Sequence, residues 1–151
     1  MVRQAVQVHV YLFRKGENGY EYGIFQRSDA PECWQGICGG LEGEETLEEG
    51  ARRETREEAG IEGEIPLLRL ESISYLPDFA FSSKARACWG KSVVVVPMYF
   101  FAAEWDGSVV LSGEHLDMRW LKYEEAYDLV SYLDQKTALY ELHEKLMRGV
   151  L

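Results

Sequence analysis

The stretch from Leu47 to Ala59 constrains the fold more than any other, because it carries the pattern of a helix with two defined ends. Thr46 and Glu49 have the spacing of a capping box, in which each side chain bonds the backbone N–H of the other residue. Gly60 provides a residue that ends a helix in a left-handed turn. We therefore predict a helix over Leu47–Ala59.

Strand-like segments occur on both sides of this helix. Residues 6–12 alternate between apolar and polar side chains, which is typical of a half-buried strand. Further strands are predicted at 20–26, within 65–76, at 92–104 and around 117–121. Residues 27–38 are predicted as a loop or a short strand, 82–91 as a loop, and 123–133 and 137–148 as helices. No repeat or linker divides the 151 residues, a length that suits one domain. The pattern predicts a single α/β domain over residues 1–151, with a mixed sheet covered by helices.

The net charge of the chain excludes some classes of function. The chain has a formal net charge of −10, and residues 39–64 alone contain ten acidic and three basic residues. A general nucleic-acid binder would present a basic face, so this class is excluded from the expected functions. A phosphate-bearing partner would be repelled from residues 39–64 unless cations intervene.

The cysteines and the apolar segments bear on the compartment. Cys33, Cys38 and Cys88 are odd in number and lack the spacing of a metal site, so we expect reduced thiols of a cytosolic protein. Residues 1–13 alternate and do not form the apolar region of a signal peptide. The longest apolar segment, residues 93–103, is too short to span a bilayer. We expect a soluble, cytoplasmic protein without a membrane partner.

Three carboxylates share one face of the predicted helix. Glu54, Glu57 and Glu58 fall at positions i, i+3 and i+4, where like charges destabilise a helix by about 0.2–0.5 kcal/mol per pair. One interpretation is a solvated face on which Arg53 reaches the neighbouring acids. The other is a cation site, since clustered carboxylate oxygens suit Mg²⁺ or Mn²⁺. The glycine-containing loop 39–43 can wrap backbone around a ligand, which favours the second interpretation.

The same segment carries a resemblance to a known family. Gly39, then Glu45 after five residues, then the run Arg-Glu-Thr-Arg-Glu-Glu-Ala-Gly-Ile at 53–61 after seven more, is similar to the Nudix box. All seven positions that the family pattern fixes are filled. Thr55 stands where the family usually has an aliphatic residue, on what should be the packing side of the helix, so this departure bears on stability. The resemblance implies a Nudix-type α/β/α sandwich.

The resemblance also implies the reaction and most of the site. Nudix enzymes hydrolyse a nucleoside diphosphate linked to another group, by attack of metal-activated water on a phosphorus. The expected cofactor is Mg²⁺, with Mn²⁺ as a substitute, and a backbone carbonyl at 38–39 is a further candidate ligand. Carried over by position, the metal ligands are Glu54, Glu57 and Glu58, the carboxylate-orienting residue is Arg53, its ion-pair partner is Glu45, and the other structural positions are Gly39 and Gly60.

An acid outside the box completes the candidate catalytic set. Some Nudix enzymes use a glutamate from a later loop as general base, and Glu114, which precedes a predicted strand, matches that position. It is a candidate base or a further metal ligand, and the alternative is an exposed loop acid. The adjacent His115 could titrate near neutrality, but a lone loop histidine is more often solvated.

Segments outside the box indicate a subgroup. Residues 26–29, 34–40, 114–126 and 137–142 resemble the Nudix enzymes that hydrolyse nucleoside triphosphates or dihydroneopterin triphosphate. The preferred reaction therefore converts a dATP-like nucleotide or dihydroneopterin triphosphate to the monophosphate and pyrophosphate. The box does not separate this reaction from hydrolysis of dinucleoside polyphosphates or nucleotide sugars, so those alternatives stay open.

Substrate contacts are expected from basic and aromatic side chains. Lysine and arginine pair well with phosphate oxygens, and aromatic rings can stack on a base or pterin. The candidate substrate-binding residues are Arg27, Trp34, Gln35, Lys84 and Arg86, with Lys91 as a further basic residue and Tyr75, Phe79, Phe81 and Trp89 as further stacking residues. The alternatives are solubilising charge for the basic residues and burial in the core for the aromatic ones.

Two hypotheses from other classes compete with an enzyme. A non-catalytic Nudix module that binds a nucleotide would be expected to lose metal carboxylates, but Glu54, Glu57 and Glu58 are all present. A purely structural acidic helix in an unrelated domain would not be expected to fill the box. The expected partner is a small phosphorylated molecule, and a homodimer is also an expectation, because many Nudix proteins are dimers.

Overall fold

A long N-terminal strand is the element around which the other strands are arranged. The structure is a computed structural model that describes residues 2–151. Its strands are β1 (Arg3–Gly16), β2 (Gly19–Arg27), β3 (Trp34–Gln35), β4 (Ile37–Glu42), β5 (Leu68–Pro77), β6 (Val95–Glu104) and β7 (His115–Lys122). Its helices are α1 (Leu47–Ala59), α2 (Ser83–Trp89), α3 (Tyr123–Leu129) and α4 (Leu133–Arg148), and a 3₁₀ turn covers Asp78–Ala80.

Strand β1 organises one mixed sheet. The order is β3-β2-β1-β6-β5, with β4 also paired to β1 and β7 also paired to β2. Strand β4 pairs antiparallel with residues 3–10 of β1, and β2 pairs antiparallel with residues 12–16. Strand β6 runs parallel to β1 on its other side. Because β1 has neighbours on both edges and helices above and below, its residues 7–13 are all buried.

Helices cover both faces of the sheet. On one face, α1 contributes Ala51 and Ala59 to a core that contains Val10 from β1. On the other face, α4 contributes Leu139 and Leu142 to a second core, together with residues of α3. Burial of apolar side chains on both faces is the main favourable term that holds the three layers together. The predicted α/β/α sandwich with a mixed sheet is confirmed.

Helix α1 has the ends that the sequence pattern predicted. The Thr46 hydroxyl accepts a hydrogen bond from the Glu49 N–H at 3.2 Å, and the Glu49 carboxylate accepts one from the Thr46 N–H at 2.9 Å. Gly60 follows the helix with a φ of 69°, a left-handed conformation that favours glycine. Thr55, where the family usually has an aliphatic residue, is buried. Its hydroxyl donates to the Ala51 carbonyl at 2.8 Å, so this polar group has a hydrogen-bond partner within the helix.

Three segments differ from the sequence prediction. Residues 37–42, most of them expected in a glycine-containing loop, form strand β4 because they pair with β1. Residues 82–91, predicted as a loop, contain α2, whose first turn is capped by the Ser82 hydroxyl accepting from the Ala85 N–H at 3.1 Å. The helix has only seven residues, too few to show a clear apolar period. The last helix begins at Leu133, earlier than the predicted 137, and α3 ends at Leu129.

Membrane and thiol features complete the description. Among the helices between residues 2 and 151, none has the length and apolar character that a bilayer span requires. Cys33, Cys38 and Cys88 are free thiols, of which Cys33 is buried and Cys88 is exposed.

Candidate active site

Arg53 of α1 ties the helix to the loop that precedes it. Its Nε and Nη2 donate to the two carboxylate oxygens of Glu45 at 2.7 and 3.0 Å, and Nη2 also donates to the Gly40 carbonyl at 2.8 Å. Its Nη1 donates to Glu54 at 2.8 Å and to Glu57 at 3.2 Å. A planar guanidinium with its donors committed in this way holds Glu54 in one orientation.

The Arg53–Glu45 ion pair is stabilised on both sides. Hydrogen bonding to Arg53 lowers the pKa of Glu45, and the same bond raises the pKa of Arg53. Glu45 also accepts a hydrogen bond from the Glu42 N–H at 2.9 Å, at the end of β4. Both side chains are mostly buried, so the pair links α1 and β4 with little competition from water.

Gly39 lets the Glu54 carboxylate pack directly against the backbone of β4. A Cβ atom at position 39 would lie 2.2 Å from the Glu54 Cδ, closer than such atoms can approach. A glycine is therefore needed at this position for a close approach and not for an unusual turn. The contact places Glu54 beside the backbone of residues 38–39, where a carbonyl ligand was expected.

Three carboxylates, from α1 and from the loop before β7, lie close together. Glu54, Glu58 and Glu114 each offer an oxygen, and the three oxygens lie within 4.8 Å of one another. Glu54 and Glu58 are 8% and 3% exposed, whereas Glu114 is exposed on the loop before β7. The Glu58 Oε2 is buried without a hydrogen-bond partner, and its Oε1 lies 3.5 Å from the Nε2 of His115.

The electrostatics of this cluster favour a bound cation. Burial raises the pKa of Glu58 well above its ordinary value, and the neighbouring Glu54 and Glu114 raise it further. Burial also raises the pKa of Glu54. Three ionised carboxylates this close are unfavourable alone and become favourable around a divalent ion. The unpartnered Glu58 oxygen and the all-oxygen donor set therefore fit Mg²⁺ or Mn²⁺.

Glu57 lies outside this cluster. Its side chain is 54% exposed at the rim, where its only close partner among the described residues is the Arg53 guanidinium. On a helix, residues i and i+4 are offset by about 40°, whereas i+3 is rotated to the other side by about 60°. Glu54 and Glu58 consequently face the sheet together, and the structure groups Glu114 with them in the place expected for Glu57.

The carboxylates line one half of a longer cleft. We call this part the acidic half; its cavity volume is about 500 Å³, and its walls include Arg27, Gly39, Glu54, Glu58 and Glu114. The apolar half, about 650 Å³, has walls that include Tyr75, Leu76, Phe81, Met98 and Tyr132. Six residues line both halves, so the two form one continuous cleft: Arg3, Gln7, Arg27, Asp29, Gln35 and Cys38.

Two of the expected substrate-binding residues line the cleft. Arg27 lies at the junction of the halves, where its guanidinium donates to both carboxylate oxygens of Asp29 at 2.8 and 2.6 Å. Gln35 is buried in the wall, and its Oε1 accepts from Cys33 Sγ at 3.8 Å and from Gln135 Nε2 at 3.3 Å. The other expected residues lie elsewhere.

Trp34, Lys84 and Arg86 do not line the cleft. Trp34 is buried in the core under the Arg119 guanidinium, which lies 4.6 Å from the ring centroid. Lys84 and Arg86 are exposed on α2, as solubilising charges are. Of the further stacking candidates, Tyr75 and Phe81 line the apolar half, whereas Phe79, Trp89 and the basic Lys91 do not.

Both histidines next to the cleft are buried, which sequence reasoning did not predict. His115 is buried rather than solvated, and burial lowers its pKa. His9 is fully buried, and burial lowers its pKa to about 3, so it is neutral and its Nε2 accepts from the Gly36 N–H at 3.1 Å. Neutral His9 therefore fixes the backbone between β3 and β4 next to the cleft.

Sequence reasoning also missed Arg3, Gln7 and Gln135 as cleft residues. Gln135 lies in the first turn of α4 and is almost fully buried, with its Oε1 lacking a partner. Arg3 opens β1, and its Nη2 donates to Gln7 Oε1 at 2.9 Å. No local pattern links these three positions to the box, because strand pairing and helix packing bring them there.

Comparisons with known proteins agree with this fold and site. The NUDIX domain family matches residues 3–146. A bis(5'-nucleosyl)-tetraphosphatase (asymmetrical) from Sus scrofa is 30% identical over 129 residues, 83% of this chain and 80% of the relative. The enzyme of the same name from Mus musculus is 32% identical over 139 residues, 90% of this chain and 88% of the relative.

Solved structures give the same family. A NUDIX hydrolase from Listeria monocytogenes is 39% identical and superposes with a TM-score of 0.86 over 97% of each chain. The dihydroneopterin triphosphate pyrophosphohydrolase of E. coli shares the fold, at 21% identity and a TM-score of 0.77, over 96% of this chain and 99% of that one. With the box filled, the family matched over almost the whole chain and a carboxylate cluster in the cleft, this protein belongs to the Nudix family and is a hydrolase that acts on phosphoric anhydrides.

Proposed function

We propose that the protein hydrolyses a nucleoside or pterin triphosphate, such as a dATP-like nucleotide or dihydroneopterin triphosphate, to the monophosphate and pyrophosphate, with Mg²⁺ as cofactor. The observation that carries the proposal is the continuity of the cleft. Its acidic half offers cation ligands, and its apolar half has room and aromatic walls for a ring system. A substrate with its triphosphate tail in the acidic half and its ring in the apolar half would occupy both halves of the cleft.

The apolar half has the composition of a ring-binding cavity. Tyr75 and Tyr132 are both exposed there, and Phe81 lies with them in the wall. Aromatic faces stack on heterocycles, and the amides of Gln35 and Gln135 can bond polar groups at the ring edge. We propose that these residues bind the base or pterin.

The acidic half would hold the metal and the phosphorus under attack. Glu54, Glu58 and Glu114 are the proposed ligands, and Arg53 keeps Glu54 in position. A divalent ion held by these residues would lower the pKa of a bound water and neutralise charge on the phosphate oxygens. Because Glu114 is exposed at the mouth, it either completes the ligand set or accepts a proton from the attacking water.

Glu57 keeps a proposed role at the rim. The family resemblance makes it a metal ligand, and its exposed carboxylate lies on the same helix as Glu54 and Glu58. A second ion bound further out would be within reach of such a side chain. Its contribution to turnover should be smaller than that of the buried Glu58.

A second candidate substrate is a dinucleoside tetraphosphate. The curated relatives at 30–32% identity are named for its asymmetrical cleavage, and this observation favours it. The chemistry at phosphorus is shared by both candidates, so the acidic half suits either. The two candidates differ in whether a second nucleoside is accommodated outside the apolar half.

The oligomeric state and the compartment also stay predictions: a homodimer, located in the cytoplasm.

The experiment that tests the proposal follows the products by ³¹P NMR. The panel contains dATP, GTP, dihydroneopterin triphosphate, diadenosine tetraphosphate and ADP-ribose, each with Mg²⁺ and with EDTA. Pyrophosphate released from a triphosphate, and lost with EDTA, is the expected result. ATP and AMP from diadenosine tetraphosphate alone would move the assignment to the second candidate. Cleavage of neither class would overturn both.

A further inference from the structure

Arg3 occupies the junction between the two halves of the cleft. It is the first residue of β1, and its side chain lines both the acidic and the apolar half. A substrate that spans the halves must therefore pass it. In a nucleotide whose ring lies in the apolar half and whose phosphates lie in the acidic half, the group at the junction is the phosphate joined to the nucleoside.

The charge of Arg3 is not neutralised by an acid. Arg27 is paired with Asp29 at 2.6 Å, and Arg53 with Glu45 at 2.7 Å. Over residues 2–151, no carboxylate lies within ion-pair distance of the Arg3 guanidinium. Its side chain has one hydrogen bond, from Nη2 to the neutral Gln7, and its Nε is buried without a partner.

The surroundings hold this cation in place. The guanidinium carbon lies 5.4 Å from the Phe81 ring centroid and 5.8 Å from that of Trp89, distances typical of cation–π contacts. Trp89 also donates from Nε1 to the Arg3 carbonyl at 3.0 Å. A Cβ at Gly40 would lie only 2.5 Å from the Arg3 Nε, so β4 also packs closely against this side chain. Arg3 is therefore built into the wall of the cleft by α2 and β4.

We propose that Arg3 binds the phosphate nearest to the ring and so sets the specificity for phosphorylated ligands in this cleft. The inference rests on the proposed function, whose orientation places the ring in the apolar half. Metal ions neutralise the outer part of a polyphosphate, so an additional cation is required where the tail leaves the carboxylates. A guanidinium without an acidic partner supplies charge and parallel donors for phosphate oxygens. The segment 78–89 then serves as a support for Arg3.

Steady-state kinetics of Arg3→Gln provide the first test, with Arg3→Lys as the variant that keeps the charge. For the triphosphate hydrolysed best, we expect KM to rise about 10- to 100-fold in Arg3→Gln, with kcat changed less. The KM of Arg3→Lys should lie between that of the wild type and that of Arg3→Gln. Arg148→Gln, on the exposed end of α4, is the control and should match the wild type. Equal KM values for Arg3→Gln and Arg148→Gln would overturn the inference.

Product inhibition tests which phosphate Arg3 binds. The mononucleotide product keeps the phosphate next to the ring, whereas pyrophosphate does not contain it. Arg3→Gln should weaken inhibition by the mononucleotide about 10-fold or more and leave inhibition by pyrophosphate unchanged. The opposite pattern would contradict the assigned position.

Direct binding separates this inference from the proposed function. If the wild type hydrolyses no triphosphate, the proposed function fails, and calorimetry with deoxyadenosine monophosphate still measures the phosphate contact. Tighter binding to the wild type and Arg3→Lys than to Arg3→Gln supports the contact. Equal binding to the wild type and both variants, each checked by its unfolding temperature, overturns it.

Discussion

The two halves of the cleft are encoded in different ways. Two of the three clustered carboxylates of the acidic half, Glu54 and Glu58, come from one continuous segment, residues 39–58, in which β4 and α1 are held together by Arg53. The apolar half takes its residues from β1, β5, the segment before α2, β6 and the start of α4. Most of the groups proposed for chemistry are thus local in sequence, with Glu114 added by the fold, whereas the groups proposed for recognition all depend on the tertiary fold.

The largest expected effect belongs to the buried carboxylate of the acidic half. Glu58→Gln keeps the size of the side chain but removes a ligand charge, so we expect kcat to fall by about 10³-fold or more. The matched control on the same helix is Glu57→Gln, at the exposed rim, with a smaller loss of about 10-fold. Steady-state rates with Mg²⁺ measure both. A larger loss of kcat in Glu57→Gln than in Glu58→Gln would contradict the assignment of Glu58 to the metal-binding cluster and of Glu57 to the rim.

The close approach of Glu54 to the backbone of β4 gives the next effect. In Gly39→Ala the new Cβ collides with the Glu54 carboxylate, so the metal centre must shift, and we expect kcat/KM to fall about 10²-fold. Gly113→Ala is the control, because a Cβ there meets no atom within 4 Å. Equal activities of the two variants, in the same assay, would mean that the position of Glu54 is not critical.

A moderate effect on stability is expected from the Arg53–Glu45 pair. Arg53→Gln removes the partner of a mostly buried carboxylate and should lower the free energy of unfolding by about 1–3 kcal/mol. Because folding lowers the pKa of Glu45, its stabilisation is complete above its ordinary value of 4.5 and is lost as pH falls through the lowered value. In Arg53→Gln this stabilisation is lost, so the variant should be less stable than the wild type above pH 4.5, and the difference should shrink as the pH falls below that value. Denaturant unfolding between about pH 3 and 7 checks this convergence, and a difference that does not change with pH would contradict it.

The smallest effect is expected at Trp89, which packs beside Arg3 but does not line the cleft. Trp89→Phe keeps an aromatic ring beside Arg3 but removes the Nε1 donor to its carbonyl, so we expect KM to rise only about 2- to 10-fold. The same assay should show no change in kcat, since α2 does not touch the carboxylates. A loss of kcat in this variant would mean that the two halves are coupled.

The helix that carries the acidic half could be predicted from the sequence because its determinants are local. The capping pair Thr46–Glu49, the stop at Gly60 and the spacing of the glutamates all act within one or two helical turns. The mixed sheet also followed from the order of strands and helices. The rotation of α1, which buries Glu58 and exposes Glu57, depends on how the helix packs and could not be obtained from spacing.

The apolar half was predicted poorly for the converse reason. Trp34 and Tyr75 look equally suited to stacking in the sequence, but only Tyr75 lines the cleft, because Trp34 packs under Arg119. Arg3 and Gln135 stand at opposite ends of the chain, and only β1 pairing and α4 packing bring them to one cavity. Long-range contacts of this kind leave no periodic signal.

Mn²⁺ binding to the wild type, Glu58→Gln and Glu57→Gln, followed by electron paramagnetic resonance, is the direct test of the proposed metal site. The proposed ligands of that site are Glu54, Glu58 and Glu114. We expect the wild type to bind Mn²⁺, Glu58→Gln to lose the tight site and Glu57→Gln to retain it. Absence of a tight site in the wild type, or its retention in Glu58→Gln, would contradict this assignment.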